Sequence, residues 1–439
     1  MAIHSEVIEI YSCIVRIVKM EISPASRIIY VVSKVLGLAP FSVKKNDKGV
    51  YVVHKSITFV VYATTLTSIM VFLTYRGLLF DAHSKIPLRQ SFRSKSVTSK
   101  AVTTLDVSVI VMAVTAGVLC GVMGYNPTKE LNNRLQKVDA SVEGYKKRET
   151  LKSVILLCLP MMAISILMFF DVWTWFSFAQ KENPAGENTD LNALWYIPFY
   201  GLYYILTCLH VSFANTALGL GRRFKNLNVT LKMSFLKETK IQNVARITPV
   251  IPIKNNEPAL QVSFTKLATA TQGATDKNKS GLLKLLAECH DSLGKCVELV
   301  SSSYGMAVLF ILLSCFLHLV ATSYFLFMEL LSKKTSGFMW LQILWITFHA
   351  SRLLMVVEPC HRISAESSRT IHIICEIERS VHDSILAEEV KKFWQQQLVF
   401  KDRFSACGLV MVDRSLLTSI FSAIATYLVI IIQFQKSDG

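Results

Sequence analysis

The chain has 439 residues, 52% of them hydrophobic, and a positive mean hydropathy. That is far more apolar length than one soluble core absorbs, and it comes in long uncharged runs, which excludes a water-soluble globular protein. The formal charge of +16 is scattered between those runs and not gathered in one basic domain, which argues against nucleic acid as a partner.

Residues 1–55 read as a cytoplasmic segment. No cleavable signal peptide is apparent, because the apolar stretch 8–20 is interrupted by Arg16 and Lys19 and lacks a small-residue cleavage pattern. Residues 28–41 are short and broken by Lys34, the pattern of an amphipathic helix in the membrane interface. Seven runs follow, each about long enough to cross a bilayer at ~1.5 Å per residue. They cover 57–75, 107–125, 153–170, 192–221, 301–328, 338–357, interrupted by Arg352, and 415–434. The expected fold is an all-α membrane protein with seven transmembrane helices.

Basic residues set the orientation. The N-terminal segment and the second, fourth and sixth loops hold 36 Lys and Arg, against 10 in the other loops and the tail. The basic side is cytoplasmic, so the N terminus is expected inside and the C terminus outside. Transmembrane helices 1–4 then lie in 56–221, a cytoplasmic loop in 222–300, helices 5 and 6 in 301–357, cytoplasmic helices in 358–414, and the last helix with a short extracellular tail in 415–439.

Within the fourth loop, 237–280 is rich in Lys, Asn, Thr and Pro and reads as a disordered insertion. Leu282, Leu285, Leu286, Cys289, Leu293 and Val297 then follow helical spacing and lead without a breaker into the fifth span. In the sixth loop, Ile371, Ile374, Ile377, Val381 and Ile385 form a second stripe, followed by an amphipathic segment at 387–400. Such stripes must bury, so these two regions are expected to build a cytoplasmic helical bundle.

None of the ten cysteines falls in an expected outside segment, so no extracellular disulfide framework is available. Cys360, His361, His372 and Cys375 are not in a recognised zinc spacing, and the apolar stripe already accounts for that helix. "LGLGRRF" at 218–224 has two glycines where close packing or a helix end suffices. No nucleophile motif accompanies the serines and histidines, and neither an enzyme nor a metal or cofactor is expected.

Five of the six tryptophans, Trp173, Trp175, Trp195, Trp340 and Trp345, fall near the outer ends of spans three, four and six. An aromatic belt at the headgroups explains part of this. Yet polar residues sit at the same depth: Asp106, Asp171, Thr322, Ser323, Tyr324 and Gln342. Gln342, Trp345 and His349 are spaced i, i+3, i+7 and share a helix face. Aromatic faces for the C–H side of a sugar, with amide, hydroxyl and carboxylate groups for its hydroxyls, are what a polyol pocket needs. The candidate ligand-binding residues are Gln342, Trp345, Tyr324, Thr322, Asp106, Asp171 and His318.

The last run raises its own question. Thr426 and Gln433 are seven positions apart and share a face, with Val429 and Ile430 between them. A primary amide facing hydrocarbon is costly, so this face should meet protein, water or the interface.

"TYLVIIIQF" at 426–434 matches the Thr-Tyr, five residues, Gln-Phe signature that closes insect gustatory receptors. "VFLTYRGLLFDAHSKIP" (71–87), "ANTALGLGRRFKNLN" (214–228), "HLVATSYFLFMELLSKK" (318–334), "RLLMVVEPCH" (352–361) and "EEVKKFWQQQLVFKDRFSACGL" (388–409) resemble the fructose-sensing group of that family. The resemblance runs from about residue 20 to the end and fails chiefly in the insertion. It implies a sugar-gated, non-selective cation channel of the plasma membrane of sensory or nutrient-sensing neurons. It also implies a homotetramer around a central pore, held by a shared cytoplasmic helical anchor, with fructose as ligand, monovalent and divalent cations as permeants, and lipid around it. The last helix would line the pore with Thr426, Ile430, Gln433 and Phe434, the last two forming a polar ring and a hydrophobic gate.

Two rivals stand beside this reading. A seven-helix G-protein-coupled receptor requires the opposite orientation and usually an extracellular disulfide. A sugar transporter would be expected to show inverted repeats or paired broken helices, and neither is obvious.

Overall fold

A computed structural model describes residues 24–45, 51–83, 97–141, 147–182, 197–236, 276–331, 337–399 and 403–437. The N-terminal stretch 1–23 and most of the insertion, 237–275, lie outside the described residues.

The chain is mainly helical. Helix α1, Pro24–Val35, opens on a proline, whose missing N–H a helix's first turn does not need. It ends where Gly37 takes φ +77° close against Ala63, where an added Cβ would meet the Ala63 Cα at 3.2 Å. The amphipathic stretch therefore stops earlier than its apolar residues suggest, and the chain turns into an antiparallel hairpin, β1 Phe41–Lys45 and β2 Tyr51–Lys55. A second hairpin, β3 Ser405–Ala406 and β4 Val410–Met411, turns through Cys407 and Gly408, both at positive φ. These two hairpins correct the all-α expectation; strands of two to five residues leave too short an alternation to stand out from flanking helical patterns.

The remaining helices, in chain order, are α2 Ile57–His83, α3 Val97–Met123, α4 Tyr125–Ser141, α5 Lys147–Glu182 and α6 Ile197–Leu231. After a π turn at Lys232–Leu236 come α7 Asp276–Leu331, α8 Gly337–Ser380, α9 Ser384–Val399 and α10 Arg414–Ser437. Among the described residues, six helices (α2, α3, α5, α6, α7 and α8) are long and apolar enough to cross a membrane, and α10 adds a shorter apolar stretch, Arg414–Ile430.

Helix α6 sits at the centre. Its buried residues run from Phe199 to Leu231 on every face, including His210 and Asn215. Helices α2 and α5 instead turn large apolar side chains such as Phe72, Leu159 and Phe169 outward, as a surface wetted by hydrocarbon allows.

Helix α7 is continuous over 56 residues. At ~1.5 Å per residue it is ~84 Å long, well beyond a ~30 Å hydrocarbon layer. Its N-terminal part packs against α4 and α9, where His290 sits between Phe224 and Phe393 and meets Gln397 at 3.0 Å. Asn228 on α6 accepts from Thr370 and donates to the Glu366 carbonyl of α8. The second apolar stripe is corrected in one respect. Helix α8 ends at Ser380, so Ile385, on the next helix, points outward, while Leu386, Val390 and Phe393 turn inward.

Candidate ligand-binding site

Five helices converge on one cavity. It is lined by Thr103 and Asp106 of α3, Asp171 of α5, and Phe199, Tyr200 and Tyr203 of α6. His318, Ala321, Thr322 and Phe325 of α7 and Gln342, Trp345 and His349 of α8 complete it. Six of the seven sequence-derived ligand residues are thus brought together. Tyr324 is not: it is buried on α7 and does not line the cavity, although its ring meets that of the lining residue Phe325.

Helical spacing explains the convergence. His318, Ala321, Thr322 and Phe325 recur at i, i+3, i+4, i+7 on α7, as Gln342, Trp345 and His349 do at i, i+3, i+7 on α8. The tryptophans separate by environment. Trp173 and Trp340 are 63% and 65% exposed, as belt residues should be, whereas Trp345 is 4% exposed. Its ring stacks on His349 at 5.4 Å with planes 20° apart and lies 5.3 Å from Tyr203. Its buried Nε1 makes no hydrogen bond among the described residues, leaving an indole donor to be satisfied.

Each carboxylate meets another residue of the lining. Tyr200 Oη donates to Asp171 Oδ2 at 2.5 Å. His318 Nδ1 lies 2.5 Å from the Ser314 carbonyl and donates to it, which leaves Nε2 facing Asp106 Oδ1 at 3.2 Å. A lone pair facing a carboxylate repels, so this contact is attractive only with a second proton, on Nε2 or on the carboxyl. Thr322 Oγ1 donates to the His318 carbonyl at 2.6 Å, so its lone pairs remain for a donor. Acceptors thus dominate the α3 and α5 walls, and aromatic and donor groups the α8 wall.

The cavity is nearly closed, with a volume of about 20 Å³. That holds about one water molecule, whereas pockets for small organic ligands run to ~300 Å³ or more. A ligand the size of a monosaccharide enters only if the walls separate.

The sequence reading missed Thr103, Phe199, Tyr200, Tyr203, Ala321 and Phe325. The signal for two of them was present: Tyr200 and Tyr203 place hydroxyl-bearing rings near the start of an apolar run, at the depth of the other polar groups. On α10, Thr426, Ile430 and Gln433 are exposed in the single subunit. The Phe434 side chain lies outside the described residues.

The comparisons with known proteins follow the same outline. The 7tm chemosensory receptor family model matches residues 26–438. The chain is 56% identical over 431 residues to the Drosophila melanogaster gustatory receptor for sugar taste 43a, covering 96% of this chain and 100% of that one. This protein is an insect gustatory receptor. Its fold is shared with the insect olfactory receptor OR5 from Machilis hrabei, in two solved structures, the first of them in complex with eugenol. The TM-scores are 0.62 and 0.59 at 12% and 13% identity, covering 93% of this receptor and 97% of the olfactory chain. The receptor is a multi-pass membrane protein of a chemosensory receptor family.

Proposed function

We propose that this receptor is a cation channel opened by a sugar, D-fructose foremost, and that the five-helix cavity is where the sugar binds. The observation that carries the proposal is the composition of that cavity. Stacked Trp345 and His349 offer an aromatic face to the C–H side of a ring, while Asp106, Asp171, Thr322 and Gln342 offer partners to its hydroxyls. The relative's name, a receptor for sugar taste, supports the same ligand class.

The channel reading rests on the intact Gln433-Phe434 motif and on packing. Helices α7 and α8 form two walls of the cavity and also pack against α10. Widening a nearly closed cavity moves the helices that hold α10. In this reading four copies place α10 around a pore carrying monovalent and divalent cations, with the N terminus cytoplasmic and the C terminus outside. Residues 222–300 and 358–414 supply the cytoplasmic anchor, and the assembly sits in the plasma membrane of sensory or nutrient-sensing neurons.

Expression of the chain alone in a non-insect cell, with whole-cell currents recorded against a panel of sugars, tests the proposal. Fructose-evoked current that persists when G-protein signalling is blocked supports it. Accumulation of labelled sugar without current supports a transporter instead.

A further inference from the structure

Among the described residues Arg352 is the largest fully buried side chain, 1% exposed, on the same face of α8 as His349. A desolvated cation inside a membrane bundle is unfavourable and calls for a reason. No carboxylate lies within ion-pair distance of it among the described residues. Its Nη1 lies 3.0 Å from His349 Nδ1, and its Nη2 donates to Ser314 Oγ at 3.2 Å. The guanidinium also stands 6.0 Å from the Tyr203 and Phe348 rings.

This geometry dictates a protonation state. Arginine has donors and no acceptor, and it keeps its charge in proteins. His349 Nδ1 must therefore present its lone pair, so the imidazole is neutral and its one proton sits on Nε2. An imidazolium, with hydrogen on both nitrogens, cannot coexist with that contact. The ring so fixed lines the cavity and stacks on Trp345.

We propose that Arg352 is a positioning residue that locks His349 as a neutral Nε2–H donor for one hydroxyl of the bound sugar. This inference rests on the sugar-binding reading above and deepens it by naming the group that recognises a hydroxyl and the residue that orients it. The same cation joins the opposite wall, because Ser314 accepts from Arg352 through its hydroxyl and from His318 through its carbonyl. An apolar side chain in place of Arg352 would avoid the burial penalty. It would leave the tautomer of His349 free.

Recordings of D-fructose dose responses from the full-length chain, with surface protein measured by biotinylation, test the proposal. Glutamine carries its amide nitrogen near the Nε2 position and asparagine near Nδ1. Both variants lose the ring face, so the donor is read from their difference: half-maximal fructose should be about tenfold or more higher in His349→Asn than in His349→Gln, the worth of one hydrogen bond. Arg352→Met should also raise it about tenfold, but by less than about threefold further in a His349→Ala background, because Arg352 acts through His349. If glutamine and asparagine behave alike, if asparagine outperforms glutamine, or if the Arg352→Met shift persists undiminished beside His349→Ala, the inference is overturned. Should Arg352→Met fail to reach the surface, the glutamine and asparagine pair decides alone. A wild type silent to every sugar overturns the functional reading and this inference with it, whereas a responsive wild type with indifferent variants overturns the inference only.

Discussion

Phe316 and Tyr427 meet edge to face, with ring centroids 5.7 Å apart and planes at 73°. Phe316 precedes His318 by two residues, about 200° around α7, so one helix touches the cavity on one side and α10 on the other. If sugar entry spreads the cavity, this ring contact is where the motion reaches α10. Phe316→Ala should cut the maximal fructose current per surface receptor severalfold, while fructose still raises the thermal stability of the purified protein. An unchanged maximal current would assign the coupling to another contact.

The buried and exposed tryptophans provide an internal control. Trp345→Ala removes the stacking face of the cavity, worth about 1–3 kcal/mol for a buried aromatic contact, and should raise half-maximal fructose at least about tenfold or abolish the response. Trp173→Ala and Trp340→Ala should leave the dose response within about threefold. Equal effects at all three positions would make Trp345 one more belt residue.

Much of this was legible in the sequence because helical spacing and hydrophobic length are local signals. The apolar runs mark the crossing helices, and Gln342, Trp345 and His349 declare one face without any knowledge of their neighbours. What the sequence hides is which faces meet. Tyr324 has the chemistry of a ligand residue and the right depth, yet it lies on the wrong side of α7 from His318 and Thr322. Tyr200 and Tyr203 resemble ordinary aromatic packing until α6 is seen at the centre of the bundle. Ile385 continues an apolar stripe by count, but the break after Ser380 resets the helical phase.

The start of α10 is tied down by charge. Arg414 donates through Nε and Nη2 to both carboxylate oxygens of Glu358 on α8, at 2.9–3.1 Å. Asp413 caps the same helix, accepting from Ser415 Oγ and the backbone N–H of Ser415. Disrupting the pair with Arg414→Glu should alter basal or sugar-evoked current, and adding Glu358→Arg should restore it in part. Unchanged currents in the single variant would leave the pair as a surface contact of the usual small value.

The Asp413 cap carries a pH prediction. The Ser415 hydroxyl holds its carboxyl below the usual range; partial burial opposes this, and the Ser415 and Leu416 N–H groups add to it. A carboxyl more acidic in the folded protein stabilises above its unfolded value of about 3.9 and loses that contribution as pH falls through the folded value. Asp413→Ala should therefore lower thermal stability by an amount constant between about pH 6 and 8, near the lower end of the ~0.5–2 kcal/mol typical of a cap. The difference from wild type should vanish well below about pH 4. A difference that varies across neutral pH would show that another group is involved.

At the far end of α10, Phe434→Ala should widen and wet a hydrophobic constriction and give leak current without sugar. Gln433→Glu adds four negative charges in a tetramer and should raise cation conductance or divalent block, more at low salt. Silent Phe434→Ala channels together with unaltered Gln433→Glu conductance would remove α10 from the conduction path.

The central claim is that one polypeptide both binds the sugar and conducts. Purified receptor reconstituted into a planar lipid bilayer, with no other protein and no nucleotide present, tests it most directly. The account predicts single-channel cation currents whose open probability rises with D-fructose and is lost in Trp345→Ala. Well-folded wild-type protein that binds fructose in the bilayer and passes no current would contradict it.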